Sequence, residues 1–550
     1  MTTGTGGDAV AGALRALGVR HVFGIVSVHN LPIVDAIRRG GGIEWVPTRH
    51  EQGAVHAADG YARSTGSLGV AVVSTGPGTA NAMGGLYEAA YASSPVLLLT
   101  GQVESAYEGR ALGHLHEADG QAGMLRAVCR EVRSVRHRDT IGETVVAVAV
   151  DILTGRHQPG AVEIPIDLQH AIGPTPAYEV RLPVPAEPAG PAVLAAADLL
   201  RSARRPLLIA GGGAVAAGAA RALTTLAEGL GAPVLTSIEG RGAIAEDHPL
   251  CVGANIDMAA ADVLFARADV VLAIGTRFQQ ATNVQRAVRI AGELIHLDVD
   301  ASVIGRVHRP RVRIVADARV GLEAVLHQLP EGDAPMGVGD GSWSSLGAEV
   351  RRAIDADSRA AMGLDLEVIM DTIAAHLPRG GVVVKDATIS SFVWANRILP
   401  VLEPRTSMRT ASMAIGPGLP LGIGAALGSG RPTVVIAGDG GIMLTVAELA
   451  TAAELGLPLV VCVFNDRGYG ILRYMQDVGF AGRRVGVDLA TPDFVCLAES
   501  MGVRAARVTE ASAFVPIFRD AVGSGAPWLL DIDLTAMAPM RIVPQTPSAR

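Results

Sequence analysis

Three times along this chain a short run of Val, Ile, Leu and Ala ends in a glycine-rich turn and passes into an Ala-rich amphipathic stretch, at residues 69–89, 205–223 and 432–455. Apolar strands without polar alternation, each followed by a helix, indicate parallel sheets covered on both faces. The pattern predicts an α/β fold of doubly wound parallel sheets, in which ligands sit beyond the carboxyl ends of the strands. At 550 residues the chain exceeds the roughly 250–300 residues at which one hydrophobic core stops growing. Two segments break the alternation. Residues 172–191 are dense in proline, which fixes φ and removes backbone donors, so an extended linker is expected; residues 329–345 are rich in Gly, Pro and Ser. Division at both gives three units, delimited as 1–171, 192–330 and 350–545.

Hydrophobic residues make up 49% of the chain and charged residues 18%, a folded and not a disordered composition. No apolar run approaches the roughly 20 residues of a spanning helix. Against 54 acidic residues stand 46 basic ones, a net charge of −8, which removes the electrostatic footprint of a nucleic-acid binder. Lys385 is the only lysine, so a lone arginine carries little functional weight here. Cys129, Cys251, Cys462 and Cys496 are far apart and form no CxxC pair, which points away from a zinc site or a disulfide framework. The first residues lack a basic stretch followed by an apolar one, so no secretory signal is read and a cytoplasmic protein is expected.

The sharpest local signal is Ala437-Gly438-Asp439-Gly440-Gly441 after an apolar strand, followed by a second strand that ends in Asn465-Asp466-Arg467-Gly468-Tyr469. Glycines flanking an acid at a strand end let backbone N–H groups approach a phosphate while the carboxylate faces a hard cation. The spacing suits one helix and a return strand, which would bring the two strand ends together around a diphosphate and Mg²⁺. Either turn alone is an ordinary tight turn. In the middle unit Gly211-Gly212-Gly213 with Ala216 fits G-x-G-x-x-A between a strand and a helix, a dinucleotide fingerprint; no acid follows at the expected distance, and a structural turn accounts for it equally well.

Taken together, the motifs resemble the thiamine-diphosphate-dependent enzymes that include acetolactate synthase, benzoylformate decarboxylase and pyruvate decarboxylase. The likeness spans nearly the whole chain and rests on Val22-Phe23-Gly24-Ile25, Arg49-His50-Glu51-Gln52-Gly53-Ala54, Ala58-Asp59-Gly60-Tyr61-Ala62-Arg63, Ser74-Thr75-Gly76-Pro77-Gly78-Thr79-Ala80-Asn81, Gly416-Pro417-Gly418-Leu419-Pro420 and the paired turns above. The resemblance implies that the first unit binds the aminopyrimidine of the cofactor, the third its diphosphate and metal, and that the middle one is a Rossmann-like spacer. Glu51 would hold the aminopyrimidine and drive its acid–base chemistry; taken alone, it reads as a solvated acid at a helix start. Thr75, Gly76, Asn81, Thr388, Ser390, Gly438, Gly440, Gly441 and Tyr469 would line the cofactor, and Ile415 would wedge it into a bent form. Asp439, Asp466 and the Gly468 carbonyl would ligate Mg²⁺. Since opposite ends of one cofactor fall on different units, the family builds its site across two subunits, and a homodimer or homotetramer is expected.

The chain departs from acetolactate synthase at several of these places. Val26-Ser27-Val28-His29-Asn30 stands where those enzymes have Pro-Gly-Gly, and Leu115-His116-Glu117 where they have Phe-Gln-Glu. His29, His116 and His114 are therefore candidate proton shuttles, since imidazole titrates near neutrality; a surface or core histidine is the bland reading of each. Asp466 replaces the usual Asn, adding a negative charge that the neighbouring Arg467 could offset. The diphosphate loop 388–391 reads more like benzoylformate decarboxylase. Gly275-Thr276-Arg277-Phe278 matches a flavin-contacting segment of acetolactate synthase, yet Gly253-Ala254-Asn255-Ile256 replaces its Gly-Met-His-Gly, so FAD is less secure than thiamine diphosphate.

The first functional expectation is decarboxylation of a 2-oxo acid with transfer of the acyl carbanion to a carbonyl acceptor. The alternatives are a decarboxylase without ligation and a cofactor-binding regulatory protein without turnover. Aromatic residues at 4% offer few rings to line an aromatic pocket, which tilts the substrate toward small aliphatic 2-oxo acids.

Overall fold

A computed structural model describes residues 2–279, 288–330 and 341–538. The chain folds as three α/β domains, each built on a six-stranded, fully parallel sheet. In chain order the first domain holds β1 (Thr2–Thr5), β2 (His21–Gly24), β3 (Glu44–Pro47), β4 (Gly69–Val73), β5 (Val96–Gln102), β6 (Glu131–Ser134), β7 (Gly160–Pro165) and β8 (Ile172–Thr175). Its sheet runs β3-β2-β4-β5-β7-β6. The middle domain holds β9 (Pro206–Ala210), β10 (Val234–Thr236), β11 (Cys251–Gly253), β12 (Val270–Ile274), β13 (Glu293–Asp298) and β14 (Val312–Val315), ordered β11-β10-β9-β12-β13-β14. This is the 3-2-1-4-5-6 order of dinucleotide-binding sheets. The third holds β15 (Val382–Lys385), β16 (Ser407–Arg409), β17 (Thr433–Gly438), β18 (Leu459–Asn465), β19 (Arg504–Val508) and β20 (Trp528–Asp533), ordered β16-β15-β17-β18-β20-β19. The first and third sheets thus share one topology.

Each sheet is buried on both faces, and its apolar residues divide into two clusters accordingly. β4, β5 and β7 carry no exposed residue, which is why their sequences read as unbroken apolar runs.

The proline-rich segment after residue 171 begins as a strand: β8 pairs antiparallel with β1. Tyr178 then packs against the first domain's core, so the start of this linker adheres to the domain it leaves. Of the second expected linker, residues 331–340 lie outside the described residues. The helix Ser342–Met362 that follows gives Trp343, Val350 and Ile354 to the middle core and Met362 to the third; Trp343 Nε1 donates to the Pro206 carbonyl (2.7 Å).

The first and third domains meet where the helix Glu51–Thr65 crosses the helix Gly418–Ser429. A Cβ on Gly60 would overlap the Leu421 carbonyl and one on Gly424 the Ala57 carbonyl, so only glycine permits this backbone approach.

Candidate active site

Near the first strand of each sheet the strand order reverses direction, opening a crevice beyond the strand ends. In the first domain that place lies between β2 and β4, flanked by residues 25–30 and 74–78. In the third it lies between β15 and β17, flanked by residues 386–391 and 438–441. In the middle it lies between β9 and β12, flanked by Gly211–Gly213 and Gly275–Phe278.

At the first crevice Glu51 is the opening residue of its helix, with His50 as N-cap accepting from the Gln52 N–H. Asn81, on the helix Pro77–Ala92, donates to Glu51 Oε2 (3.0 Å). Among the described residues no group donates to Glu51 Oε1, and Gly78 leaves it room, since a Cβ there would stand 3.2 Å away. Gly76 takes a left-handed φ of 56°, and a Cβ on it would overlap the His116 carbonyl oxygen. Thr75 is fully buried, and its hydroxyl donates inward to Gln121 Oε1 (3.0 Å).

The histidines separate. His116 Nδ1 lies 3.2 Å from Ser74 Oγ, and the His29 ring is 5.4 Å from the His116 ring. Burial, then the His116 charge, lowers the pKa of His29, which Glu104 opposes. His114 instead stacks on Tyr107 (4.0 Å); among the described residues no hydrogen bond or ring contact joins it to Ser74, His116 or Glu51.

Two further polar residues, neither a candidate from the sequence, shape this half. Buried Gln121 accepts from the Gly76 N–H (2.7 Å) and donates to Glu163 Oε1 (2.8 Å) and the Gly101 carbonyl (3.1 Å). Buried Asn30 accepts from the Ser27 N–H (2.8 Å) and donates to the Ile25 carbonyl (3.0 Å), closing the loop on itself.

At the third-domain crevice Asp439 is fully buried at the end of β17. Its Oδ2 accepts from the Gly468 N–H (2.8 Å), while Oδ1 has no partner among the described residues. Burial, reinforced by the like charge of Asp466, raises the proton affinity of Asp439; burial also raises that of Asp466, opposed by Arg473. Arg473 lies 3.5 Å from Asp466 Oδ2 and donates to its carbonyl. The expectation for Arg467 is thereby corrected: held at φ 60°, it points away and lies 3.6 Å from Asp533.

Around these acids a Cβ on Gly438 would stand 3.0 Å from Thr388 Oγ1, and one on Gly440 would stand 2.5 Å from the Tyr469 ring. Ser390 is buried in a π-helical turn, Ser390–Ala395, a feature frequent at functional sites. Asp386, also buried, accepts from the N–H groups of Gly416 (2.9 Å) and Gly418 (3.2 Å), and burial pushes its pKa up to about 6. It fastens the turn after half-buried Ile415; Gly441 lies against the same carboxylate.

Among the described residues no cluster of three His, Cys, Asp or Glu side chains could hold a metal; the candidate set is two carboxylates and a carbonyl. An orphaned buried carboxylate oxygen and two acids that repel one another fit a divalent cation bound with a phosphate group, since Mg²⁺ takes one or two carboxylates plus phosphate oxygens. The free Glu51 Oε1 fits a hydrogen-bonding ring. Among the described residues no hydrogen bond or ion pair joins the Glu51 group to the Asp439 group.

The middle crevice opens into a cavity of about 320 Å³ shared with the first and third domains. The glycine fingerprint beside it serves packing: a Cβ on Gly211 or Gly213 would strike the Gly275 backbone. Arg63, Arg156 and Arg277 line the cavity, and Asp298 stands at the end of β13.

Comparison with known proteins gives three matches to sequence models of one family. They are the thiamine pyrophosphate enzyme N-terminal TPP binding domain over residues 4–124, the central domain over 193–329 and the C-terminal TPP binding domain over 389–532. A probable 2-ketoarginine decarboxylase of Pseudomonas aeruginosa is 37% identical over 90% of this chain and 88% of its own length. A probable acetolactate synthase large subunit of Methanocaldococcus jannaschii is 31% identical over 98% and 93%. The acetolactate synthase isozyme 3 large subunit of Escherichia coli is 30% identical over 90% and 88%.

Proposed function

The chain belongs to the thiamine pyrophosphate enzyme family and is a thiamine-diphosphate-dependent decarboxylase or carboligase; from that premise we propose that it decarboxylates a 2-oxo acid and releases the product as an aldehyde. Bound thiamine diphosphate supplies a nucleophilic carbon and an electron sink for the pair left behind by CO₂. Glu51 holds the aminopyrimidine with its free Oε1, while Asn81 fixes the other oxygen. Asp439, Asp466 and the Gly468 carbonyl hold Mg²⁺, and Thr388 and Gly438 face the diphosphate. Ile415 supports the cofactor from the turn that Asp386 fastens.

The observation that carries the aldehyde reading is the pair of imidazoles, His29 and His116, at the crevice that also holds Glu51. A positioned imidazole can hydrogen-bond a developing oxyanion and deliver a proton, which ends the reaction without a second carbonyl. Glu104, close enough to act on His29, suits a 2-oxo acid with a basic side chain, the substrate class in the name of the Pseudomonas relative. Ligation to a second carbonyl is the other reading, supported by the acetolactate synthases that align over nearly the whole chain. Product analysis on a panel of basic, aliphatic and aromatic 2-oxo acids separates them: aldehyde and CO₂ in equal amounts support release, and an acyloin or 2-hydroxy-3-oxo-acid product supports ligation.

Each half-site is incomplete in one chain, and apolar residues stand exposed beside both. The helix Gly470–Gly479 buries none of its residues, leaving Leu472, Met475 and Val478 exposed, while Val26 and Val28 are exposed beside the Glu51 half. A second copy of the chain that covers both gives a homodimer, or a tetramer of two, with each cofactor between subunits. The five arginines of the middle cavity, Arg63, Arg156, Arg277, Arg405 and Arg409, suit the phosphates of a nucleotide, and cavities of 300–1,000 Å³ are typical ligand sites; a visible flavin spectrum in purified protein would identify FAD there. No helix among the described residues is long and apolar enough to cross a membrane.

A further inference from the structure

Ser27 and Ser74 belong to neither the cofactor nor the metal groups, yet they stand on the two loops that flank the first-domain crevice. Their hydroxyl oxygens are 2.7 Å apart. Ser27 Oγ also accepts the His29 backbone N–H (3.3 Å), and Ser74 Oγ also meets His116 Nδ1 (3.2 Å). Among the described residues neither hydroxyl has another partner.

A hydroxyl carries one proton and accepts at its lone pairs. A backbone N–H is a fixed donor, so the Ser27 proton is free to point at Ser74. Ser74 then accepts from Ser27 and directs its own proton to His116. The order that gives both hydroxyl protons an acceptor is His29 N–H to Ser27 to Ser74 to His116 Nδ1; in the reverse order the Ser27 proton has none among the described residues. A neutral imidazole that accepts at Nδ1 carries its proton on Nε2.

We propose that Ser27 and Ser74 are positioning residues that hold neutral His116 in its Nε2–H form, leaving that N–H as a ready donor to the oxygen of the substrate's 2-oxo group. Two further observations bear on His116 as the endpoint. Its backbone sits at φ 59°, a conformation a non-glycine residue keeps only where its surroundings impose it, and Gly76 makes room for its carbonyl. Its Nε2 has no hydrogen-bond partner among the described residues. His29 does not take that role: the residue is 6% exposed, and its Nδ1 is buried without a partner among the described residues.

The part of this inference that concerns the substrate rests on the decarboxylase reading; the part that concerns the tautomer does not, and the experiment separates them. Full-length protein labelled with ¹⁵N-histidine is measured without substrate, the His116 signals being assigned by their loss in His116→Gln. A protonated Nε2 and unprotonated Nδ1 are expected in the wild type, a mixture of tautomers in Ser74→Ala, and the wild-type pattern again in Ser74→Thr, which keeps the hydroxyl. A wild-type His116 protonated at Nδ1, or a Ser74→Ala spectrum unchanged from wild type, overturns the proposal. Should Ser74→Ala fail to fold, the wild-type signal and Ser27→Ala decide it. In turnover, Ser27→Ala and Ser74→Ala are expected to lower kcat about tenfold with KM changed less, and Ser74→Thr to recover most of the loss. Loss in KM alone would overturn the positioning role. Absence of any 2-oxo acid turnover in wild type, with the tautomer as stated, would reject the decarboxylase reading and leave the relay standing.

Discussion

Glu448, on the third domain, accepts the backbone N–H of Arg49 at 3.0 Å, and with the same oxygen that of His50 at 3.1 Å. Those two residues immediately precede Glu51, so the domain that carries the metal acids also fastens the start of the helix that carries the pyrimidine acid. Glu88 returns the arrangement from the first domain: its carboxylate accepts from the N–H groups of Ala411 (2.5 Å) and Ser412 (3.0 Å), on the segment leading to Ile415. Glu448→Ala leaves two backbone donors near a buried site without a partner. Each such loss costs about 1–3 kcal/mol, and both a lower Tm and a kcat reduced at least tenfold are expected; calorimetric melting and steady-state assays check them together.

Gln121→Leu strips the Gly76 N–H and buried Glu163 of their shared partner. Stability should fall by about 3 kcal/mol, and thiamine diphosphate should bind more weakly, because the turn that shapes the pyrimidine pocket is no longer anchored. Chemical denaturation and isothermal titration with the cofactor measure the two effects separately.

Asp439→Asn removes the only fully buried carboxylate of the metal set. Mn²⁺ binding in the presence of thiamine diphosphate, followed by the loss of the free-ion paramagnetic resonance signal, should weaken at least a hundredfold while the fold persists. Undiminished Mn²⁺ affinity would mean that the cation is held elsewhere.

His56 is 1% exposed within the helix Glu51–Thr65, and burial, then the charge of Arg63, holds its pKa down to about 3 from an ordinary 6.5. Between those values the unfolded chain binds a proton that the folded chain refuses. The stability from this group is therefore complete above about pH 6.5 and is lost as the pH falls, by up to about 1.4 kcal/mol per pH unit. In His56→Gln the acid side of a stability–pH profile should be correspondingly flatter over that window.

The layers of the molecule were legible in the sequence because buried parallel strands and glycine turns leave continuous patterns, and the turns that carry the acids at 439 and 466 do fall on adjacent strand ends. Single polar side chains leave no such pattern. Gln121, Asp386 and Glu448 each belong to no marked motif, and their importance comes from backbone groups far away in sequence that only the folded chain brings within reach. The charge partner of Asp466 was misplaced for a related reason. Adjacency in sequence favoured Arg467, but a left-handed residue at 467 turns its side chain outward, and the helix that follows returns Arg473 to the acid. The pairing of β1 with β8 was likewise hidden, since neither segment alternates or carries an apolar run.

The central claim, that Glu51 and the Asp439 group serve one thiamine diphosphate in the decarboxylation of a 2-oxo acid, is tested most directly by CO₂ release from wild type and Glu51→Gln after both have been shown by calorimetry to bind the cofactor with Mg²⁺. The account predicts CO₂ from wild type that depends on added thiamine diphosphate, and a rate at least a hundredfold lower from Glu51→Gln. Equal rates from the two proteins, or CO₂ release that ignores the cofactor, would contradict it.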